Sequence, residues 1–150
     1  MRADGKRVKN ADPMYTVAAY IMDKRMDSMN MITIDIPVDP IKEYINEKRK
    51  QGSNISHMAV VLAAYVRTVK EFPELNRFVV NKKIYQRNEL AVGMVVLKEG
   101  GDVNKETMSK MYFEKTDTIF DVDKKINEYV ESNRVAPEKN GTEKIIKFLL

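Results

Sequence analysis

The chain has 150 residues, of which 43% are hydrophobic and 32% charged, with a formal net charge of +4. That length and mix suit one globular domain with a real core and exclude an intrinsically disordered chain. The absence of cysteine excludes a disulfide scaffold, a thiolate metal site and a thiol nucleophile, and a cytoplasmic setting is the simplest expectation.

Residues 1–14 are polar and are expected to be loose or packed on a neighbouring chain. The domain proper is expected over 15–150. From Tyr15 to Met26, Val17, Ile21 and Met22 recur at helical spacing, so a short helix is predicted there, ending near Asp27-Ser28. From Asn30 to Val38 the period changes to two. Ile32, Ile34, Ile36 and Val38 share one face, opposite Met31, Thr33 and Asp35, which predicts a half-buried strand. Asp39-Pro40 then opens a helix, with Asp39 as the expected cap and Pro40 at the first helical position. Ile41, Tyr44 and Ile45 form its apolar stripe, and Gly52 ends it.

Ser53 or Asn54 is the expected cap of the next helix, in which Ile55, Met58, Ala59, Val61, Leu62, Tyr65, Val66 and Val69 cover a wide arc. It is expected to be the most buried helix, stopped by Pro73. Phe78-Val79-Val80 and Ile84-Tyr85 flank a short polar loop and read as a hairpin. Leu90 to Leu97 is continuously apolar and is predicted to be a central strand covered on both faces, with Gly93 packed close to a neighbouring element. Lys98 to Asp102 is a turn, and Thr107 to Lys115 a further strand. Thr116 or Asp117 caps a helix carrying Ile119, Val122, Ile126 and Val130. After a loop over Pro137 to Gly141, Thr142 caps a last helix. It ends in Ile145-Ile146-Lys147-Phe148-Leu149-Leu150, apolar enough that another chain would cover it or the sequence is a piece of a longer protein.

The pattern supplies little chemistry. His57 is the single histidine and lies in the first turn of the apolar helix with no carboxylate one turn on to orient it, so it reads as a surface or boundary residue. One histidine among scattered carboxylates is not a zinc ligand set, and no metal is expected. There is no Gly-x-Ser-x-Gly elbow, dinucleotide fingerprint or phosphate loop. Asp121 and Asp123 are expected on an exposed helix face. No run of apolar residues is long enough to span a bilayer, and Met1 to Arg7 lacks the apolar stretch of a signal peptide. Basic residues mostly alternate with acids, as in Glu43 to Lys50, and no nucleic-acid motif is present, so neither membrane nor nucleic acid is an expected partner.

Several segments, taken in order, resemble one family. Ile21-Met22-Asp23-Lys24-Arg25-Met26-Asp27-Ser28 is similar to the "Ile-Ala-x-Arg-Met-x-x-Ser" helix of the dihydrolipoyl acyltransferase core of 2-oxo acid dehydrogenases. Ile32-Thr33-Ile34-Asp35-Ile36 resembles the strand that follows it there and in chloramphenicol acetyltransferase. Ser56 to Leu75 is similar to their long helix ending in "Pro-Glu-Leu-Asn", and Asn76-Arg77-Phe78, Lys83-Ile84-Tyr85 and Thr116 to Phe120 continue in step.

The resemblance spans roughly residues 15–135. It implies an α/β (α+β) two-layer sandwich: a mixed sheet with helices packed on one face, here incomplete. It also implies coenzyme A as cofactor, acyl transfer to or from a thiol or hydroxyl, and a homo-oligomer, a trimer in that family. The family's general base lies in a His-x-x-x-Asp motif. Here His57 is followed by Val61 where the aspartate would stand, so no catalytic residue carries over. The expectation is therefore the N-terminal portion of an acyltransferase-like protein, inactive alone. The alternative is a non-catalytic assembly or binding module derived from that fold. Ser28 matches the family serine near the substrate channel and is the one substrate-binding candidate. A serine ending a helix by bonding to local backbone accounts for it equally.

Overall fold

The computed structural model describes residues 2–98 and 106–135. The described part is mixed α and β, with four helices and two small sheets whose strands all pair antiparallel. It does not contain the single mixed sheet expected from the sequence. The predicted turn at 98–102 falls largely outside the described residues, and the predicted loop and last helix wholly outside them.

The first residues are not loose. Strand β1 (Gly5–Arg7) pairs with β3 (Lys83–Arg87), setting Gly5 opposite Arg87, and the Val8 N–H reaches the Ile84 carbonyl at 3.0 Å. Gly5 is required there. A Cβ would lie 2.8 Å from both the Gln86 carbonyl oxygen and the Phe78 ring. Helix α1 (Pro13–Ile21) begins and ends earlier than predicted, because Asp12 accepts the Met14 N–H at 2.8 Å and Pro13 fits the first position. A separate 3-10 turn covers Arg25–Ser28.

The predicted strand at Asn30 to Val38 does not form. The segment is irregular, and its side chains are exposed on both faces, Ile34 by 73%. Period-two alternation signals a strand only where a neighbouring edge supplies a ladder and a core receives one face. Among the described residues this segment has neither.

Helix α2 (Asp39–Lys50) takes Asp39 into its first turn, where it faces Lys42 at 3.8 Å, so Val38 stands at the cap position instead. Gly52 ends α2 as predicted, at φ 84°, a conformation that costs glycine little. Helix α3 (His57–Glu71) is capped by Ser56, not by Ser53 or Asn54. The Ser56 hydroxyl accepts the Ala59 N–H at 3.1 Å. The buried stripe of α3 is Ala59, Leu62, Val66 and Val69; Met58, Val61 and Tyr65 face solvent. The helix is thus amphipathic, narrower in its buried arc than its composition suggested.

A short 3-10 turn (Pro73–Asn76) leads into β2 (Arg77–Val80), joined to β3 by Asn81 and Lys82. Both have positive φ, 48° and 59°, the twist that suits a two-residue hairpin loop. The order β1-β3-β2 makes the first sheet. The second pairs β4 (Leu90–Leu97) with β5 (Glu106–Phe113) along their full length. Its inner face, with Leu90, Val96, Met111 and Phe113, packs against α3 and α4 (Ile119–Val135), which contributes Val122, Ile126 and Tyr129. This is the main core.

The outer face of that sheet is uncovered, with Val95, Leu97, Met108 and Tyr112 at least half exposed. The expectation that β4 is a central strand with both faces buried therefore fails for the described residues. Gly93 lies on this open face. An added Cβ would meet only the Ser109 carbonyl at 3.9 Å, so no close packing demands glycine there.

Candidate functional site

Ser28 closes the 3-10 turn after α1. Its hydroxyl donates to the Arg25 carbonyl at 3.0 Å, and the Asp27 carboxylate accepts the Lys24 N–H at 2.8 Å. Both bonds serve the turn itself. The Ser28 side chain is exposed, keeps its lone pairs open to a donor, and has no titratable partner among the described residues. This turn and the end of α1 are tied to the hairpin by Lys82, whose ammonium donates to the Tyr20 carbonyl at 3.3 Å and to the Asp23 carboxylate. The bond from Lys82, with its positive charge, holds the Asp23 carboxyl below the usual carboxylate range.

His57 occupies the first helical position of α3. It is exposed and makes no hydrogen bond or ion pair among the described residues, so nothing orients its imidazole for proton transfer. The structure does not bring Ser28 and His57 into one hydrogen-bonded set.

A groove of about 640 Å³ lies between the C-terminal half of α3 and the β5–α4 connection. Ala63, Ala64 and Ile119 supply apolar walls, and Arg67, Lys70 and Lys115 supply cations. Arg67 is engaged by Glu71 at 3.2 Å, whereas Lys70 and Lys115 have no anionic partner among the described residues. Glu71 and Asp117 also line the groove, so its wall carries carboxylates beside the three cations. At the α4 end of the groove, Asp121 accepts the N–H and hydroxyl of Thr118 at 2.9 and 2.6 Å. Those bonds, the side-chain one foremost, hold the Asp121 carboxyl below its usual range. Thr118, not Thr116 or Asp117, is therefore the residue that closes the start of α4. Asp117 instead accepts the Glu114 N–H at 2.8 Å and the Lys125 ammonium at 2.6 Å. Ser28 and the rest of its turn do not line the groove.

Asp123 was expected on an exposed face and is instead buried. Its carboxylate accepts the Ser56 N–H at 2.9 Å, the Ser56 hydroxyl at 2.8 Å and the Asn127 amide at 3.0 Å. This serine–carboxylate pair has no imidazole between its members, and the hydroxyl also caps α3, so it joins two helix starts and does not form a nucleophile. A second buried junction went unnoticed in the sequence. The Tyr129 hydroxyl donates to the Met94 carbonyl at 2.6 Å and accepts the Ser109 N–H at 3.0 Å, pinning α4 to both strands of the second sheet. Its position three residues beyond Ile126, on the buried stripe, was the available signal.

At the corner before β2, the Asn76 amide donates to the Glu89 carbonyl at 2.9 Å. Gln86 donates to the Pro73 and Asn76 carbonyls, each at 3.1 Å, and Arg77 donates to Glu74 at 3.1 Å. These groups are spent on holding the corner. Among the described residues no cluster of three metal-ligating side chains occurs, and no helix is long and apolar enough to cross a membrane. Compared with known proteins, the chain matches no family model and no curated protein.

Proposed function

We propose that this chain is the N-terminal portion of a CoA-dependent acyltransferase-like protein that moves acyl groups between coenzyme A and a thiol or hydroxyl acceptor. The observation that carries the reading is the ordered run of resembling segments, from Ile21 through Ser28 to the corner Phe72-Pro73-Glu74-Leu75-Asn76-Arg77-Phe78. The hydrogen bonds that give Asn76, Arg77 and Gln86 to the corner supply a physical reason for that residue pattern. On this reading the finer architecture is the chloramphenicol-acetyltransferase-like two-layer sandwich, and the assembly is a homo-oligomer, a trimer as in the resembled family. Cytoplasmic location belongs to the same proposal.

The roles of the residues follow from their chemistry. Lys70 and Lys115 attract the phosphates of coenzyme A, whose thioester supplies the acyl chemistry when it is bound. The Ser28 hydroxyl, exposed with free lone pairs, accepts a hydrogen bond from the acceptor substrate. No residue of this sequence supplies the His-x-x-x-Asp base, so the chain alone binds without turnover.

Calorimetric titration with coenzyme A and acetyl-CoA, run beside thiol-release kinetics, tests this. Binding without thiol release is expected. Absence of binding would overturn the reading, and turnover would place a base among groups assigned here to structure.

A second reading, a non-catalytic assembly or binding module on the same scaffold, is favoured by one observation: the apolar outer face of β4 and β5 stands uncovered among the described residues. A stable monomer with no partner affinity in light scattering would count against it.

A further inference from the structure

Methionine is ordinarily a core residue that fills irregular gaps. This chain has ten methionines, and seven are exposed among the described residues. Three of those, Met26, Met29 and Met31, crowd the 3-10 turn and the chain just after it, at 77%, 57% and 85% exposure. Their side chains carry no part of the local structure. The Asp27 carboxylate accepts the Lys24 N–H at 2.8 Å, the Ser28 hydroxyl donates to the Arg25 carbonyl at 3.0 Å, and the Met29 N–H donates to the Met26 carbonyl at 3.2 Å. None of the three sulfurs takes part in a hydrogen bond among the described residues, and none of the three residues belongs to the core.

An exposed thioether is a soft nucleophile open to oxidants. The chain has no cysteine, so no thiolate of its own intercepts an oxidant first and none reduces the product. A sulfur lone pair attacks one oxygen of hydrogen peroxide. The O–O bond breaks as the S–O bond forms, sulfur gives up two electrons, and the proton of the transferred oxygen passes to the departing hydroxide, which leaves as water. The sulfoxide is polar, which disrupts a packed core, but these three side chains have no core packing to lose. Reversal takes two reductases, one for each sulfoxide epimer. The sulfoxide oxygen leaves as water while two thiols become a disulfide. Backbone freedom sets these methionines apart from the other exposed ones. Met14 and Met22 sit at the two ends of α1, Met58 lies in α3, and Met108 stands opposite Val95 in the β4–β5 ladder. Met31 lies in irregular chain, and Met26 and Met29 lie in and just after a turn of four residues. A reductase must draw the sulfoxide and its flanking backbone into its own active site. That costs helix or ladder hydrogen bonds at Met58 and Met108, and little at the turn.

We propose that Met26, Met29 and Met31 form a reversible oxidation site: peroxides convert them to sulfoxides with the fold intact, and sulfoxide reductases restore them. Ser28 lies between Met26 and Met29 in sequence, so the modification sets a polar S=O acceptor on either side of it along the chain.

Hydrogen peroxide on the full chain, followed by peptide mapping in a mass spectrometer, tests this. One added oxygen is expected on each of Met26, Met29 and Met31 while Met111, 3% exposed, stays a thioether. Peroxide should shift the urea midpoint of the unaltered chain and of the variant carrying Met26→Leu, Met29→Leu and Met31→Leu by the same amount, because the three sulfurs support nothing. Both reductases with a thiol reductant should then clear the oxygen from residues 26, 29 and 31 before they clear it from Met108. Protection of the three methionines while Met108 is oxidised would overturn the proposal, since the turn would then be covered. A larger loss of stability in the unaltered chain than in the triple variant would overturn it as well, and so would sulfoxides at 26, 29 and 31 that outlast the one at Met108. None of these readouts depends on coenzyme A.

Discussion

Single positions divide sharply by what surrounds them. Gly93 has open space beside its Cα, so Gly93→Ala should raise stability by about 0.5–1 kcal/mol, read as a higher urea midpoint with an unchanged slope. Gly5→Ala should do the opposite, because its Cβ would press on the Gln86 carbonyl and the Phe78 ring. Asp121 gives a pH signature. Its folded carboxyl is held below its ordinary value by Thr118, so its contribution to stability is fully present above about pH 4 and is lost as pH falls through the lowered folded value. Asp121→Asn should therefore melt below the unaltered chain at pH 7, with the gap closing as pH falls through the lowered folded value. The conformational demand on Gly52 was legible, because glycine after a basic last turn has one common use. That of Gly93 was not, since a strand glycine can answer to close packing or to none.

At the level of elements, the core helices were legible and their boundaries less so. The stripe Ala59, Leu62, Val66 and Val69 fixes α3 from the sequence, because helical periodicity is local. Its cap was misplaced because Ser53, Asn54 and Ser56 all carry capping side chains. What selects Ser56 is Asp123, brought from α4 by the tertiary fold. Asp123→Ala should cost about 1–3 kcal/mol by leaving the part-buried Ser56 N–H without its acceptor, as measured by chemical denaturation. Tyr129→Phe should cost about 1–2 kcal/mol for the analogous reason at Met94 and Ser109. Hydrogen exchange should then rise first at the Ser109 amide. The segment 30–38 marks the limit of periodicity: the pattern is real, but a ladder needs a partner that one chain's sequence cannot name.

At the scale of the whole molecule, the helix-backed sheet of β4 and β5 holds the main core, and apolar side chains on its far side, on α1 and over residues 30–38 are exposed among the described residues. The candidate ligand groove was not legible, since Lys70 and Lys115 meet only through the packing of α3 against the β5–α4 connection. On the proposed reading, replacing both with glutamate should abolish coenzyme A binding in calorimetry while leaving the far-ultraviolet spectrum intact. The pairing of β1 with β3 has a kinetic consequence. β2 and β3 close through two residues, a microsecond event on their own. β1 must find β3 across some eighty residues of chain, since Gly5 pairs with Arg87. Closure over that span is entropically costly and rewards the chain only after the hairpin exists. The N-terminal strand should therefore dock last in refolding and detach first in unfolding. Pulse-labelled amides at Lys6 and Val8 should gain protection after those of Phe78 and Tyr85.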